Sequence, residues 1–200
     1  MTNSPADMVD LSFDLKGSML PGGYPFALWD ELVRILPWLA EEETAGVLPL
    51  RGAENGEQIL LARRCKLVLR LPEHKAEQAM ALSGMTMRLD DNVLAIGAGT
   101  KRDLQPFSTL HAPLLEGGED EQAFMEQVGL QLQELGVSCQ LICGKRSTIR
   151  SGEQSLSGYS LVLHELAPEG SLRVQSAGLG NKQRYGCGIF LPYKTISGLE

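Results

Sequence analysis

No stretch of this 200-residue chain approaches eighteen uninterrupted apolar residues, which excludes a membrane-spanning helix. The opening MTNSPADMVDLSFDL has no basic segment followed by an apolar one, so no secretory signal is expected and the expected location is cytoplasmic. A reducing cytoplasm argues against disulfides among Cys65, Cys139, Cys143 and Cys187. Metal-ligand spacing is also missing. The nearest approach is Cys139 and Cys143, but VSCQLICG reads as a strand, where a four-residue offset separates two sulfurs by about 13 Å. Both are expected to be core thiols, and neither a metal nor a cofactor is expected. Histidine is scarce as well: only His74, His111 and His164 are present.

The most informative scarcity is local and concerns acid. The net charge is −7, which taken alone speaks against a polyanion partner. The charge is unevenly spread, however: residues 1–137 hold 11 Lys and Arg against 21 Asp and Glu, whereas 138–200 hold 7 against 4. Three windows contain no acid: Ile59–Pro72 with Arg63, Arg64, Lys66 and Arg70; Ser138–Gly152 with Lys145, Arg146 and Arg150; and Gly170–Leu199 with Arg173, Lys182, Arg184 and Lys194. For an anionic ligand the local field outweighs the total charge. Either these cations are scattered and solvated, or they mark a surface for a polyanion.

Periodicity organises the rest. VDLSFDL alternates as a strand ending at Lys16-Gly17, and YPFALWDELVRILPWLAEEE places Leu28, Leu32, Ile35, Leu36 and Leu39 on one helical face, with Pro37 ending or distorting its last turn. AGVLPL and QILLARRCKLVLRL read as a strand pair around the turn-rich RGAENGE; PEHKAEQAMALSG is a short helix; TMRLDDNVLAIGAG turns at Asp91-Asn92 into another strand. The second half repeats the order: FSTLHAPLL, the helix EDEQAFMEQVGLQLQELG, the strands VSCQLICG and YSLVLHEL, a helix in APEGSLRVQSAGLG, and a last strand YGCGIFLPYK. LVLRLPEHKAEQAMALSG and LVLHELAPEGSLRVQSAG share a strand, a Pro-Glu helix start and a glycine stop. The expectation is an α+β protein of two tandem ferredoxin-like (RRM-like, βαββαβ) folds, residues 1–103 and 104–200, with a C-terminal glycine-rich loop.

That loop is GLGNKQRYGCGIFLPYK, Gly178–Lys194. Glycines allow close backbone approach, and successive amides in such a loop can form an anion nest. Gly178-x-Gly180 lacks the third glycine of a dinucleotide fingerprint, and neither Lys182 nor Lys194 completes a P-loop. Lys182 and Arg184 inside a loop without acid favour phosphate; a hairpin-like loop tightened by glycines is the plainer reading.

Gly178, Gly180, Arg184, Gly186 and Gly188, followed by an apolar pair and Pro192-Tyr193-Lys194, resemble the C-terminal signature of the CRISPR-associated endoribonucleases that process repeat RNA, the "Cas six" family. DLSFDLKGSMLP with ALWDELVRILPWL resembles that family's first strand and helix. The resemblance implies paired ferredoxin-like folds, a repeat RNA hairpin as partner alongside other CRISPR effector-complex subunits, and metal-independent cutting. In that reaction the RNA's 2′-hydroxyl attacks the adjacent phosphorus, leaving a 2′,3′-cyclic phosphate and a 5′-hydroxyl end. The candidate phosphate contacts are then Gly178, Gly180, Lys182, Arg184, Gly186 and Gly188 of the loop, with Lys145, Arg146 and Arg150 from the acid-free window. Family members commonly carry a histidine near the first helix. MLPGGYPFALW has none, and Tyr24 stands at about that place. Tyr24 is therefore the first candidate for proton transfer and His111, in STLHAPLL, the second; packing is the alternative for each, as it is for His164, and His74 is expected at the surface. Two other functions stay open: a non-cutting repeat-RNA-binding subunit of an effector complex, and an unrelated ferredoxin-like protein holding a phosphorylated small molecule.

Overall fold

The computed structural model describes residues 7–193. In chain order they form β1 (Met8–Lys16), β2 (Met19–Pro21), α1 (Tyr24–Ile35), β3 (Gly46–Val47), β4 (Gly52–Asn55), β5 (Gln58–Leu61), β6 (Lys66–Pro72) and α2 (Ala76–Ala79), which 3-10 turns extend at both ends. There follow β7 (Thr86–Leu89), β8 (Asn92–Asp103), β9 (Leu110–Glu116), α3 (Glu121–Glu134), β10 (Gln140–Ser151), β11 (Gln154–His164), α4 (Pro168–Ala177) and β12 (Leu191–Pro192). One antiparallel sheet has the order β3-β6-β1-β8-β7 and a second has β10-β11-β9-β12. Strip β7 from the first, and each sheet places its second, third, first and fourth strands side by side. These are two ferredoxin-like folds in tandem.

Alternation in β1 explains how the halves meet. Val9, Leu11, Phe13 and Leu15 are buried with Leu28 and Leu32 of α1 in the first core, while Asp10, Ser12 and Asp14 take the other face of the sheet. Ser12 and Arg70 on that face are buried too. The second core gathers Leu110, Phe124, Val128, Leu161 and Phe190. A small third cluster joins the halves: Phe26 of α1, Leu114 of β9, Leu156 of β11 and Cys187. The connecting segment 104–109 is tied to α4, where Ser171 Oγ accepts from the Phe107 amide at 2.9 Å and Gln175 Nε2 donates to the Gln105 carbonyl at 2.8 Å.

The strand readings need three corrections. QILLARRCKLVLRL is not one strand, because Ala62–Cys65 turns (Cys65 N to Ala62 O, 3.0 Å) and leaves Arg63 and Arg64 in solvent. Its first part, β5, joins β2 and β4 in a separate three-stranded sheet. YGCGIFLPYK pairs only at Leu191–Pro192, since Gly186 and Gly188 sit at φ +74° and +70° and break the extended run; Lys194 lies outside the described residues. Conversely, β10 and β11 are longer than their apolar cores suggested and form one hairpin, with β10 at the sheet edge. As Pro37 required, α1 stops at Ile35 and a 3-10 turn follows.

Arg70, read from its window as a surface cation, is buried between the halves. Its Nε and Nη2 donate to Asp10 at 2.7 and 2.9 Å, and its Nη1 donates to the carbonyls of Phe190 at 2.8 Å and Gln175 at 3.2 Å. Arg70→Ala is expected to lower the unfolding free energy by about 3–5 kcal/mol, because it leaves a carboxylate and two carbonyls without their donor. Arg63→Ala, at an exposed position, should stay within about 0.5 kcal/mol. Urea denaturation of the two variants checks this, and equal stabilities would refute it.

Candidate functional site

Between α4 and β12 the chain folds back on itself. Leu179 N donates to Gly188 O at 2.9 Å, and a Cβ at Gly188 would lie 1.9 Å from the Leu179 carbonyl oxygen, so only glycine fits. At Gly186, positive φ coincides with close approach to Val47 O and Pro49 Cγ, each 3.2 Å from where a Cβ would be. The glycine amides are already engaged: Gly178 to Val174 O, Gly180 to Gln131 Oε1, Gly186 to Gln183 O and Gly188 to Leu114 O. This corrects the anion-nest reading of Gly178, Gly180, Gly186 and Gly188. Their backbone approaches the protein itself, and the loop turns side chains outward instead.

Those side chains border a groove of about 540 Å³, with Lys182, Arg184 and Tyr185 on the loop side and Glu43 and Thr44, from the segment leading into β3, opposite. Aromatic residues of α1 steady Arg184 and Tyr185. The Arg184 guanidinium lies 5.4 Å from the centre of the Trp29 ring, and the Tyr185 ring lies 5.0 Å from that of Phe26. Lys182, Arg184 and Tyr185 are all half-buried, so each has one side against protein and one toward solvent.

Tyr24 is placed differently from its expected role. It opens α1 but is buried, and its hydroxyl accepts a hydrogen bond from the Leu50 amide at 2.9 Å. Burial pushes its pKa up to about 12, with the Leu50 bond opposing, and no neighbouring cation lowers it. A phenol so enclosed holds the β3–β4 connection in place and does not meet a ligand in this conformation.

His111 lies on β9 in a second groove, of about 620 Å³, that runs between the halves and is also lined by Arg51, Arg64, Lys66, Arg102 and Tyr193. It is half-buried, desolvation holds its pKa below the usual imidazole value, and its ring stands 5.6 Å from that of Tyr193. Lys66 is paired with Asp14 at the rim. The structure therefore keeps His111 apart from the loop, whereas the enclosed Tyr24 lines a narrow crevice with Arg184, Tyr185 and Gly186.

Among the other expected contacts, Lys145 and Arg150 project into solvent from β10, while Arg146 is half-buried with its guanidinium 5.9 Å from the Tyr159 ring centre. Arg173 is tied to Glu169 and to Gly136 O. His74 is exposed, and His164 ends β11 half-buried. Cys65 and Cys187 are buried thiols, Cys139 and Cys143 are half-buried, and desolvation raises the pKa of all four. Among the described residues no three His, Cys, Asp or Glu side chains come together as metal ligands. No helix there is long and apolar enough to cross a membrane.

The family model described as Cas6 Crispr matches residues 9–195. The chain belongs to the Cas6 family. A CRISPR-associated endonuclease Cas6 of Myxococcus xanthus (strain DK1622) is 34% identical over 186 residues, covering 92% of this chain and 81% of the relative. Two solved structures share the fold with a TM-score of 0.66. One, a CRISPR associated protein Cas6, is 9% identical and covers 94% of this chain and 100% of its own. The other, an RAMP protein binding different RNA substrates, is 12% identical and covers 93% and 100%.

Within this Cas6-family chain, sequence reasoning missed Tyr185 and Glu43 in the loop groove, and Arg51, Arg102 and Tyr193 beside His111. Tyr185 stood inside the quoted glycine loop, so a polar aromatic among closely spaced glycines was the available signal. Glu43 carried none, being one of three consecutive acids. Removing the Tyr24 hydroxyl tests its structural role. Tyr24→Phe is expected to cost about 1–3 kcal/mol of stability by orphaning the Leu50 amide. Thermal or urea unfolding reads this; an unchanged midpoint would contradict it.

Proposed function

We propose that this chain is a CRISPR endoribonuclease that binds a repeat RNA hairpin and cuts within the repeat. The observation that carries the reading is the pair of cations, Lys182 and Arg184, presented on an open groove by a loop whose glycines are consumed internally, in a chain of the Cas6 family. The Myxococcus relative is named an endonuclease and the RAMP neighbour an RNA binder. Acid-poor segments supply further phosphate contacts at Lys145, Arg146 and Arg150 on the β10–β11 hairpin. The groove around His111, with four cations and an aromatic pair, suits an unpaired strand: cations follow phosphates while rings receive bases.

The nucleophile in this reading is the substrate's own 2′-hydroxyl, positioned in line with the departing 5′-oxygen, so the reaction requires no metal-bound water. The protein's part is to hold that geometry and to place cations on the non-bridging oxygens as charge builds there. A second reading rests on the enclosure of Tyr24 and the absence of a histidine around α1: a subunit of an effector complex that binds repeat RNA without cutting it.

Cleavage is expected to persist in excess chelator, to stop when the ribose upstream of the cut is 2′-deoxy, and to yield a cyclic phosphate. Tight binding by the parent protein without any cutting would establish the second reading. Replacing Lys182 and Arg184 together by Glu should abolish hairpin binding, whereas neutralising one phosphate contact should reduce the salt slope of log affinity by about 0.7–0.9. Filter binding across a salt series reads both, and retained affinity in the double Glu variant would remove the loop from the RNA interface.

A further inference from the structure

The proposed cut needs one proton to leave the 2′-hydroxyl as the 2′-oxygen–phosphorus bond forms, and one proton to reach the 5′-oxygen as its bond to phosphorus breaks. Neither residue first considered for this work is open beside the loop cations: Tyr24 is enclosed next to Arg184, and His111 is in the other groove. The loop groove nevertheless holds a matching set of groups. Its lining includes one carboxylate, Glu43, one phenol, Tyr185, and two cations, Lys182 and Arg184.

Tyr185 is also the held member of that set. It closes the 3-10 turn Gln183–Tyr185, with its amide donating to Lys182 O at 2.9 Å. The next residue, Gly186, takes the left-handed conformation against Val47 and Pro49, and the ring rests on Phe26. Tyr185 and Arg184 cover the buried Tyr24: all three line a crevice of about 10 Å³ with Leu28 and Pro49. That volume is at the lower limit for a single water molecule. The phenol available to a ligand at this place is therefore that of Tyr185, above Tyr24.

Resting on the ribonuclease reading above, we infer that Tyr185 is the general acid of the cleavage step, with Glu43 as its base. The Glu43 carboxylate accepts the 2′-hydroxyl proton, the 2′-oxygen bonds to phosphorus, and the pair of electrons in the bond to the 5′-oxygen leaves with that oxygen, which takes the Tyr185 proton. Lys182 and Arg184 face the non-bridging oxygens, where negative charge accumulates. Solvent then returns a proton to Tyr185 and removes one from Glu43.

The test uses the full chain and synthetic CRISPR-repeat hairpin RNAs in single-turnover cleavage. Tyr185→Phe keeps the ring on Phe26 and should slow cleavage by about 10²–10⁴-fold while affinity changes less than about threefold. With sulfur in place of the departing 5′-oxygen, the leaving group needs no proton, and Tyr185→Phe should cut within about threefold of the parent. Glu43→Gln should be slow on both RNAs. A Tyr185→Phe rate near the parental one on ordinary RNA overturns the assignment. So does an equal loss on the sulfur substrate, which would mark Tyr185 as a packing residue. If the parent cuts no hairpin, the ribonuclease reading fails and takes this inference with it; if parent and variant cut alike, only this inference fails.

Discussion

The buried guanidinium of Arg70 is the constraint on which the arrangement of the two halves depends. Asp10 and Arg70 are cross-strand partners on the face of the first sheet that meets the second half, so strand register alone sets the ion pair. The remaining nitrogen then reaches two carbonyls of the second half, one in the last turn of α4 and one just before β12. A planar fork with fixed donor directions can serve a carboxylate and two carbonyls together, which the point charge of a lysine cannot do. The Gln175 carbonyl is also part of a helix C-terminus, where a cation is favoured. Removing this group from water carries a large desolvation cost, offset here because Nε, Nη1 and Nη2 all find acceptors. The gain is directional: the second half is seated on the first sheet in one orientation, and both grooves follow from that seating.

The loop after α4 divides its labour by atom type. Its backbone bonds inward to α3, β9 and itself, while Lys182, Arg184 and Tyr185 each keep one side toward solvent. Glycine is required at Gly178 and Gly188 because the inward contacts leave no room for a Cβ, and at Gly180 and Gly186 the left-handed backbone favours it. With Arg184 held over the Trp29 ring, that guanidinium needs less ordering when an anion arrives than a free side chain would.

Much of this architecture was legible. Alternation in β1, the 3.6-residue period of α1, the proline after it and the matched Pro-Glu helix starts are local signals, and they specify the order of elements. What stayed hidden was long-range. Nothing near Arg70 distinguishes it from Arg63 and Arg64, because its partners Gln175 and Phe190 lie more than a hundred residues onward. Tyr24 could be placed at a helix start but not recognised as enclosed, since the Leu50 amide that claims its hydroxyl belongs to another element. QILLARRCKLVLRL looked continuous because two short apolar runs joined by charged residues have the composition of one strand. The family motif pointed to the loop, while the groove opposite it is made by Glu43 and Thr44, which no motif marks.

One feature of the second sheet bears on how the protein behaves at high concentration. β10 is a twelve-residue edge strand with Ile142 half exposed, a surface prone to pairing with a neighbouring chain. Lys145, Arg146 and Arg150 stand along it, and at an edge such charges keep identical molecules apart. Lys145, Arg146 and Arg150 thus serve as gatekeepers of that edge. Removal of the charges by mutation would leave the edge bare.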